Sequence, residues 1–130
     1  MQNADKIVGI NRLLIDLSDV VSYHNYSGAD AQAKAIAALK TFGRPVLCTE
    51  YMARKANSTF QSDLPVLKRE KVDAYNWGFV DGKSQTKFAW NTWKKAAEGE
   101  PEIWFHDILH TDGTPYKTEE TDFLRSELPH

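Results

Sequence analysis

Three stretches of this sequence carry side chains able to do chemistry, and each follows a short apolar run: His24-Asn25-Tyr26, Thr49-Glu50-Tyr51 and Trp77-Gly78. Glu50 comes directly after Val46-Leu47-Cys48-Thr49, which puts a lone carboxylate where a buried strand surfaces. It reads either as a catalytic group or as a structural carboxylate paired with Arg44 or Arg54. Taken singly, His24 reads first as a hydrogen-bonded framework histidine and Trp77 as core. Taken together they say more. A carboxylate, a tyrosine able to donate a hydrogen bond to it, a histidine and an indole face make a sugar site, because pyranose rings stack on aromatic faces and carboxylates perform glycosyl displacement.

Such groups need elements to hold them. Ile7 to Leu17 has apolar residues at largely helical spacing and closes at Ser18-Asp19. Asp19 to Tyr26 begins as a β-branched run and turns polar before Gly28, as a strand does on surfacing. Ala31 to Phe42 has a helical stripe at Ala33, Ile36, Ala37 and Leu39, with Ser27 or Asp30 to cap it and Gly43 to end it. Arg44 to Tyr51 is a second strand, and Ser58-Thr59-Phe60-Gln61 has capping-box spacing for a helix to about Lys71, which Pro65 should kink or begin. Ala74 to Val80 is a third strand, followed by the loop Asp81-Gly82-Lys83-Ser84-Gln85-Thr86. Beyond it lie Trp90, Trp93, Trp104-Phe105-His106-Asp107, the turn Asp112-Gly113-Thr114-Pro115 and a last helix from about Thr118 to Leu128. Alternating helix and strand is the pattern of βαβ crossovers and a parallel sheet, so the predicted class is α/β. Functional side chains of such folds stand at the carboxyl ends of the strands.

Other chemistries fit the residues less well. His24, His106, His110 and His130 with Cys48 show no compact metal-ligand spacing; His106 and His110 are four apart but lack the glutamate of a His-Glu-x-x-His helix. Gly82-Lys83-Ser84 resembles the end of a phosphate loop whose upstream glycine is missing. No metal and no cofactor is therefore expected. The 130 residues carry 16 Lys+Arg against 18 Asp+Glu, a net charge of −2, which gives no basic surplus for nucleic acid or anionic lipid. Hydrophobic residues at 42% and aromatics at 12% suffice for one core. Uninterrupted apolar stretches fall far short of the roughly 20 residues that span a bilayer, and segment 1–6 does not open like a signal peptide. The single cysteine, Cys48, can form no internal disulfide. One soluble domain is the expectation.

The succession Ser22-Tyr23-His24-Asn25-Tyr26, Gly43-Arg44-Pro45-Val46-Leu47-Cys48-Thr49-Glu50-Tyr51-Met52-Ala53-Arg54, Asn76-Trp77-Gly78-Phe79-Val80-Asp81-Gly82-Lys83-Ser84-Gln85-Thr86 and Trp104-Phe105-His106-Asp107 resembles the carboxy-terminal part of a retaining (β/α)8-barrel glycoside hydrolase. Its nearest likeness is to bacterial cellulase and β-1,4-xylanase-type proteins grouped with glycoside hydrolase families two and five. The resemblance covers nearly the whole chain, and its most specific pieces are Arg-Pro-x-x-x-Thr-Glu and Asn-Trp-Gly.

The resemblance implies a partial (β/α)8 barrel, roughly its last three βα units plus a C-terminal extension, with the three strands as the sixth, seventh and eighth. It implies Glu50 as nucleophile, Tyr26 as the residue orienting it, and His24 and Asn25 as substrate contacts. Trp77 would be the platform under the sugar, with Lys83 and Gln85 reaching substrate hydroxyls. The implied partner is a carbohydrate. A retaining enzyme also needs an acid/base carboxyl, which in the resembled proteins is a Glu following an Asn, and no Asn-Glu pair occurs in this sequence. Three βα units leave open strand edges, to be covered by an N-terminal half of the barrel or by self-association. The expected reading is the nucleophile half of a secreted or periplasmic polysaccharide-degrading enzyme, set against a non-catalytic carbohydrate-binding module or an inactive fragment.

Overall fold

The computed structural model describes residues 7–94 and 97–127. Segment 1–6, read above for a signal peptide, and His130, weighed as a metal ligand, lie outside them. The described chain is mixed α/β: a three-stranded parallel sheet in the order β1-β2-β3, with four α-helices. Helix α1 spans Ile10–Leu17, β1 Val21–His24, α2 Ala29–Lys40, β2 Val46–Glu50, α3 Phe60–Arg69, β3 Asp73–Ala74 and α4 Thr118–Glu127. Short 3-10 turns occupy Arg54–Ala56 and Trp90–Trp93. Among the described residues no helix is long and apolar enough to cross a membrane.

Element boundaries differ from the sequence expectation for local reasons. Gly9 sits at φ 63°, outside helical geometry, so α1 starts at Ile10 rather than Ile7. Neither Ser27 nor Asp30 caps α2 through its side chain; Gly28 holds that position at φ 79°. Gly43 follows the helix at φ 66°, as a terminating glycine should. The capping box of α3 pairs Thr59 with Ser62, while Ser58 turns inward and donates to the Tyr51 carbonyl. Pro65 lies inside α3, past its first turn. The third strand is far shorter than expected. After Tyr75 N–H donates to the Cys48 carbonyl, the Asn76 side-chain amide donates to the carbonyls of Gly78 and His106 and ends the ladder.

One face of the sheet is covered. Val21, Val46 and Cys48 pack with Ile36 and Leu39 of α2 and Val66 and Leu67 of α3 into one buried cluster. The opposite face carries Ser22 and His24 of β1, Asp73 of β3 and Tyr75 just beyond it, all exposed, with Leu47 and Thr49 half-buried. Parallel sheets ordinarily have both faces covered. The segment after β3 closes over the carboxyl ends of the strands: Arg54 N–H donates to the Phe105 carbonyl at 3.1 Å, and Val80 pairs in parallel with Leu109.

Candidate active site

Alternation along β2 sends Val46 and Cys48 toward the helices, and continued alternation would send Glu50 the same way. It does not go there. Pairing runs Val21 to Val46, Ser22 to Leu47 and Tyr23 to Cys48, then skips Thr49, so that His24 faces Glu50. One inserted residue moves a side chain to the other face of a sheet, and this irregularity aims Glu50 at the open face. Asn25 N–H donates to the Glu50 carbonyl at 3.0 Å and locks the shift.

The Tyr26 hydroxyl donates to Glu50 Oε2 at 2.5 Å, and His24 Nδ1 lies 3.3 Å from the same oxygen. Burial, then the hydrogen bond and charge of Glu50, push the Tyr26 phenol far above its ordinary range. Tyr26 is therefore a fixed donor. Glu50 is mostly enclosed, with 17% of its side chain exposed, and its Oε1 accepts no hydrogen bond from the described residues. A carboxylate held by one oxygen with the other free suits nucleophilic attack.

The loop bearing Tyr26 is held from below. Buried Gln32 of α2 accepts from the Tyr23 hydroxyl at 2.9 Å and donates to the Asn25 carbonyl at 3.3 Å. Asn25 keeps its side chain in the same framework: its Oδ1 accepts from Ser27 N–H at 3.0 Å, and its Nδ2 is buried without a protein partner. The structure thus brings Glu50, Tyr26, His24 and Asn25 together.

Trp77 is 54% exposed, with Phe79, Ser84 and Thr86 around a shallow hollow of about 400 Å³. It is not core. Its neighbour Gly78 is the closest approach in the region: a Cβ there would collide with the Asp107 carboxylate, lie 2.9 Å from His106 Cβ and 3.0 Å from Asp107 N. Lys83 and Gln85 lie exposed on the turn beyond and make no side-chain hydrogen bond with the described residues, so the structure does not join them to Glu50. The structural pairings weighed for Glu50 are also absent. Arg54 is bound instead to Glu120, at 2.5 Å, and Arg44 reaches the Asp16 carbonyl.

Two contributors carried no assigned role in the sequence reading. Trp90 meets the Tyr26 ring edge to face, centroids 4.9 Å apart, and His106 lies 5.5 Å from the same ring. His106 is buried, its Nδ1 2.7 Å from the Met52 carbonyl and its Nε2 without a partner; burial lowers its pKa, so it is a neutral imidazole with Nδ1 protonated. The signal for both was the cluster of aromatics after residue 86, which has no periodicity to place it. Among the described residues no group of three His, Cys, Asp or Glu side chains is disposed to hold a metal ion.

Comparison with protein-family models, with curated proteins and with solved structures finds no match to this chain.

Proposed function

We propose that this chain is the carboxy-terminal part of a retaining (β/α)8-barrel β-glycosidase acting on a xylan- or glucan-like polysaccharide or oligosaccharide, and that it supplies the nucleophile half of the site. The observation that carries the reading is the 2.5 Å hydrogen bond from Tyr26 to a carboxylate that a register irregularity turns onto the open sheet face. In the first step Glu50 Oε1 attacks the anomeric carbon, the glycosidic bond breaks, and a glycosyl ester forms as the leaving oxygen takes a proton from an acid/base carboxyl. In the second step water, deprotonated by that same carboxyl, displaces Glu50. The acid/base would come from sequence outside this chain, since no Asn-Glu pair is present.

The shape of the chain supports the barrel half of the reading. The two end strands of the sheet are flanked by hollows: one of about 360 Å³ beside His24, Asn25, Ala31 and Ala35, the other of about 640 Å³ beside Leu64, Val72, Ala74 and Leu124. An uncovered sheet face between two vacant edges is what three units of a closed barrel would present. The covering partner is then the N-terminal half of the barrel, and self-association is the substitute when that half is missing. The missing Asn-Glu pair is the one observation that favours a second reading, a carbohydrate-binding module without chemistry.

A 2-deoxy-2-fluoro glycoside with a dinitrophenolate leaving group separates them, because so good a leaving group departs without an acid. Incubated with this chain, xylosyl and glucosyl forms should leave a covalent sugar on the peptide containing Glu50, seen by mass spectrometry and lost in Glu50→Gln. Sugar binding without an adduct, or an adduct that survives Glu50→Gln, overturns the nucleophile assignment.

A further inference from the structure

We propose that Trp90 is a second aromatic wall of the sugar subsite at Glu50, stacking on a pyranose ring; the inference rests on the glycosidase reading above. Trp90 is one side chain removed from the carboxylate, since it touches the ring whose hydroxyl holds Glu50. It is also unusually well fixed for a residue that remains 41% exposed. Phe105 meets its ring at 4.7 Å and 75°, and His106 tilts against it at 5.9 Å. Behind it the turn is closed by Thr92, whose hydroxyl donates to the Ala89 carbonyl at 2.8 Å, and by Phe105 N–H donating to the Lys87 carbonyl at 2.7 Å.

An indole packed by three rings has the means to bury itself completely. Instead part of its apolar surface stays in water, one side chain away from a carboxylate, an arrangement that water disfavours and a ligand with one apolar face relieves. The chemistry of the foot of this wall narrows the ligand. His106 is buried and neutral there, its Nε2 without a partner, so the charge nearest this wall is the Glu50 carboxylate beyond Tyr26. An anionic ligand gains nothing at such a surface. A neutral ring with C–H faces and a rim of hydroxyls gains apolar contact with the indole and has hydroxyls to donate to the Glu50 carboxylate, which points to a pyranose.

Binding of cellotriose and xylotriose to this chain, followed by calorimetry and by the indole N–H signals in NMR, tests the assignment. At least one trisaccharide should shift the Trp90 indole signal, and Trp90→Ala should weaken its binding about tenfold, the loss expected for one ring stack. Trp90→Phe keeps a ring in the cluster and should restore most of the affinity; it stands in for the alanine variant if the latter loses its cooperative melting transition. Affinity unchanged in Trp90→Ala, or a Trp90 indole signal that stays silent in the unmodified chain at saturating trisaccharide, overturns the wall while leaving the nucleophile assignment to the fluoro-glycoside adduct. Absence of saturable binding by the unmodified chain at millimolar trisaccharide overturns the wall too, again without touching the adduct result.

Discussion

Helix α1 and the carboxy-terminal segment are both rich in large apolar side chains, yet only one of them is built into the protein. In α1, Ile10, Leu13, Leu14 and Leu17 are each at least half exposed, and the helix contains no buried residue. Partly buried Ile7 and Ile15, with Arg12 lying 4.9 Å over the Phe42 ring, are its hold on the core. In the carboxy-terminal segment Trp104, Phe105, His106, Asp107 and Ile108 are all buried. Trp104 stacks on Tyr116 at 4.6 Å with planes 1° apart, and the Arg54 guanidinium lies over the Tyr116 ring while donating to the Trp104 carbonyl and to both Glu120 oxygens. The difference teaches that an apolar stripe records that a helix is meant to be covered, not that this chain does the covering. The segment after the sheet, by contrast, belongs to the frame of the Glu50 site.

Breaking the Arg54–Glu120 pair should therefore give the largest effect. Both side chains are nearly enclosed, at 4% and 6% exposure, so Glu120→Ala leaves a guanidinium buried without its counterion and should cost about 3–5 kcal/mol in urea unfolding. The double variant Arg54→Met with Glu120→Leu should recover much of that loss. A cost below about 1 kcal/mol for Glu120→Ala would mean that the carboxy-terminal segment is attached no more firmly than α1.

The pH dependence of the same frame should be smaller and has a definite sign. Burial lowers the pKa of His106 in the folded state below the ordinary imidazole value of about 6.5. Below that value the unfolded chain takes up a proton that the folded chain refuses, so this contribution is complete above about pH 6.5 and is lost as pH falls toward the folded pKa. Wild type should thus lose stability between neutral pH and pH 5 relative to His106→Asn, whose amide can replace the Nδ1 donor to Met52 but does not titrate. Parallel pH profiles for the two proteins would place no titrating group at that contact.

The same contrast marks what could be read in the sequence. The α/β alternation and the parallel sheet were legible because short continuous apolar runs and stripes at helical spacing follow directly from burial. Glu50, Tyr26 and His24 were legible as strand-end groups. The direction of Glu50 was not, since it depends on pairing that skips Thr49, and pairing is a property of two strands rather than of either sequence. Trp77 taken singly reads as core and only the resemblance makes it a platform; the chain leaves it exposed. The expectation for Lys83 and Gln85 rests on the resemblance and on their place in the loop after the third strand, and a turn after a strand that ends two residues in need not face the site. Trp90 and His106 are held by contacts across 50 to 80 residues of sequence, such as His106 to Met52 and Trp90 to Tyr26, which no spacing within a window can reveal.

The smallest effect belongs to α1, and it sharpens the comparison from the other side. Glutamine has nearly the helix propensity of leucine, so Leu14→Gln with Leu17→Gln changes little in the helix itself. At 56% and 77% exposure these leucines leave little contact to lose, and the pair should alter the urea midpoint by no more than about 0.5 kcal/mol in stability. An eight-residue helix with no side-chain cap has scant stability of its own, so its persistence depends on Ile7, Ile15 and Arg12. The substitutions should act instead on association. If α1 presents a face meant for further βα units, the unmodified chain should self-associate as concentration rises and the glutamine pair should reduce this in sedimentation velocity. A loss of several kcal/mol with no change in association would show that α1 is packed as tightly as the carboxy-terminal segment.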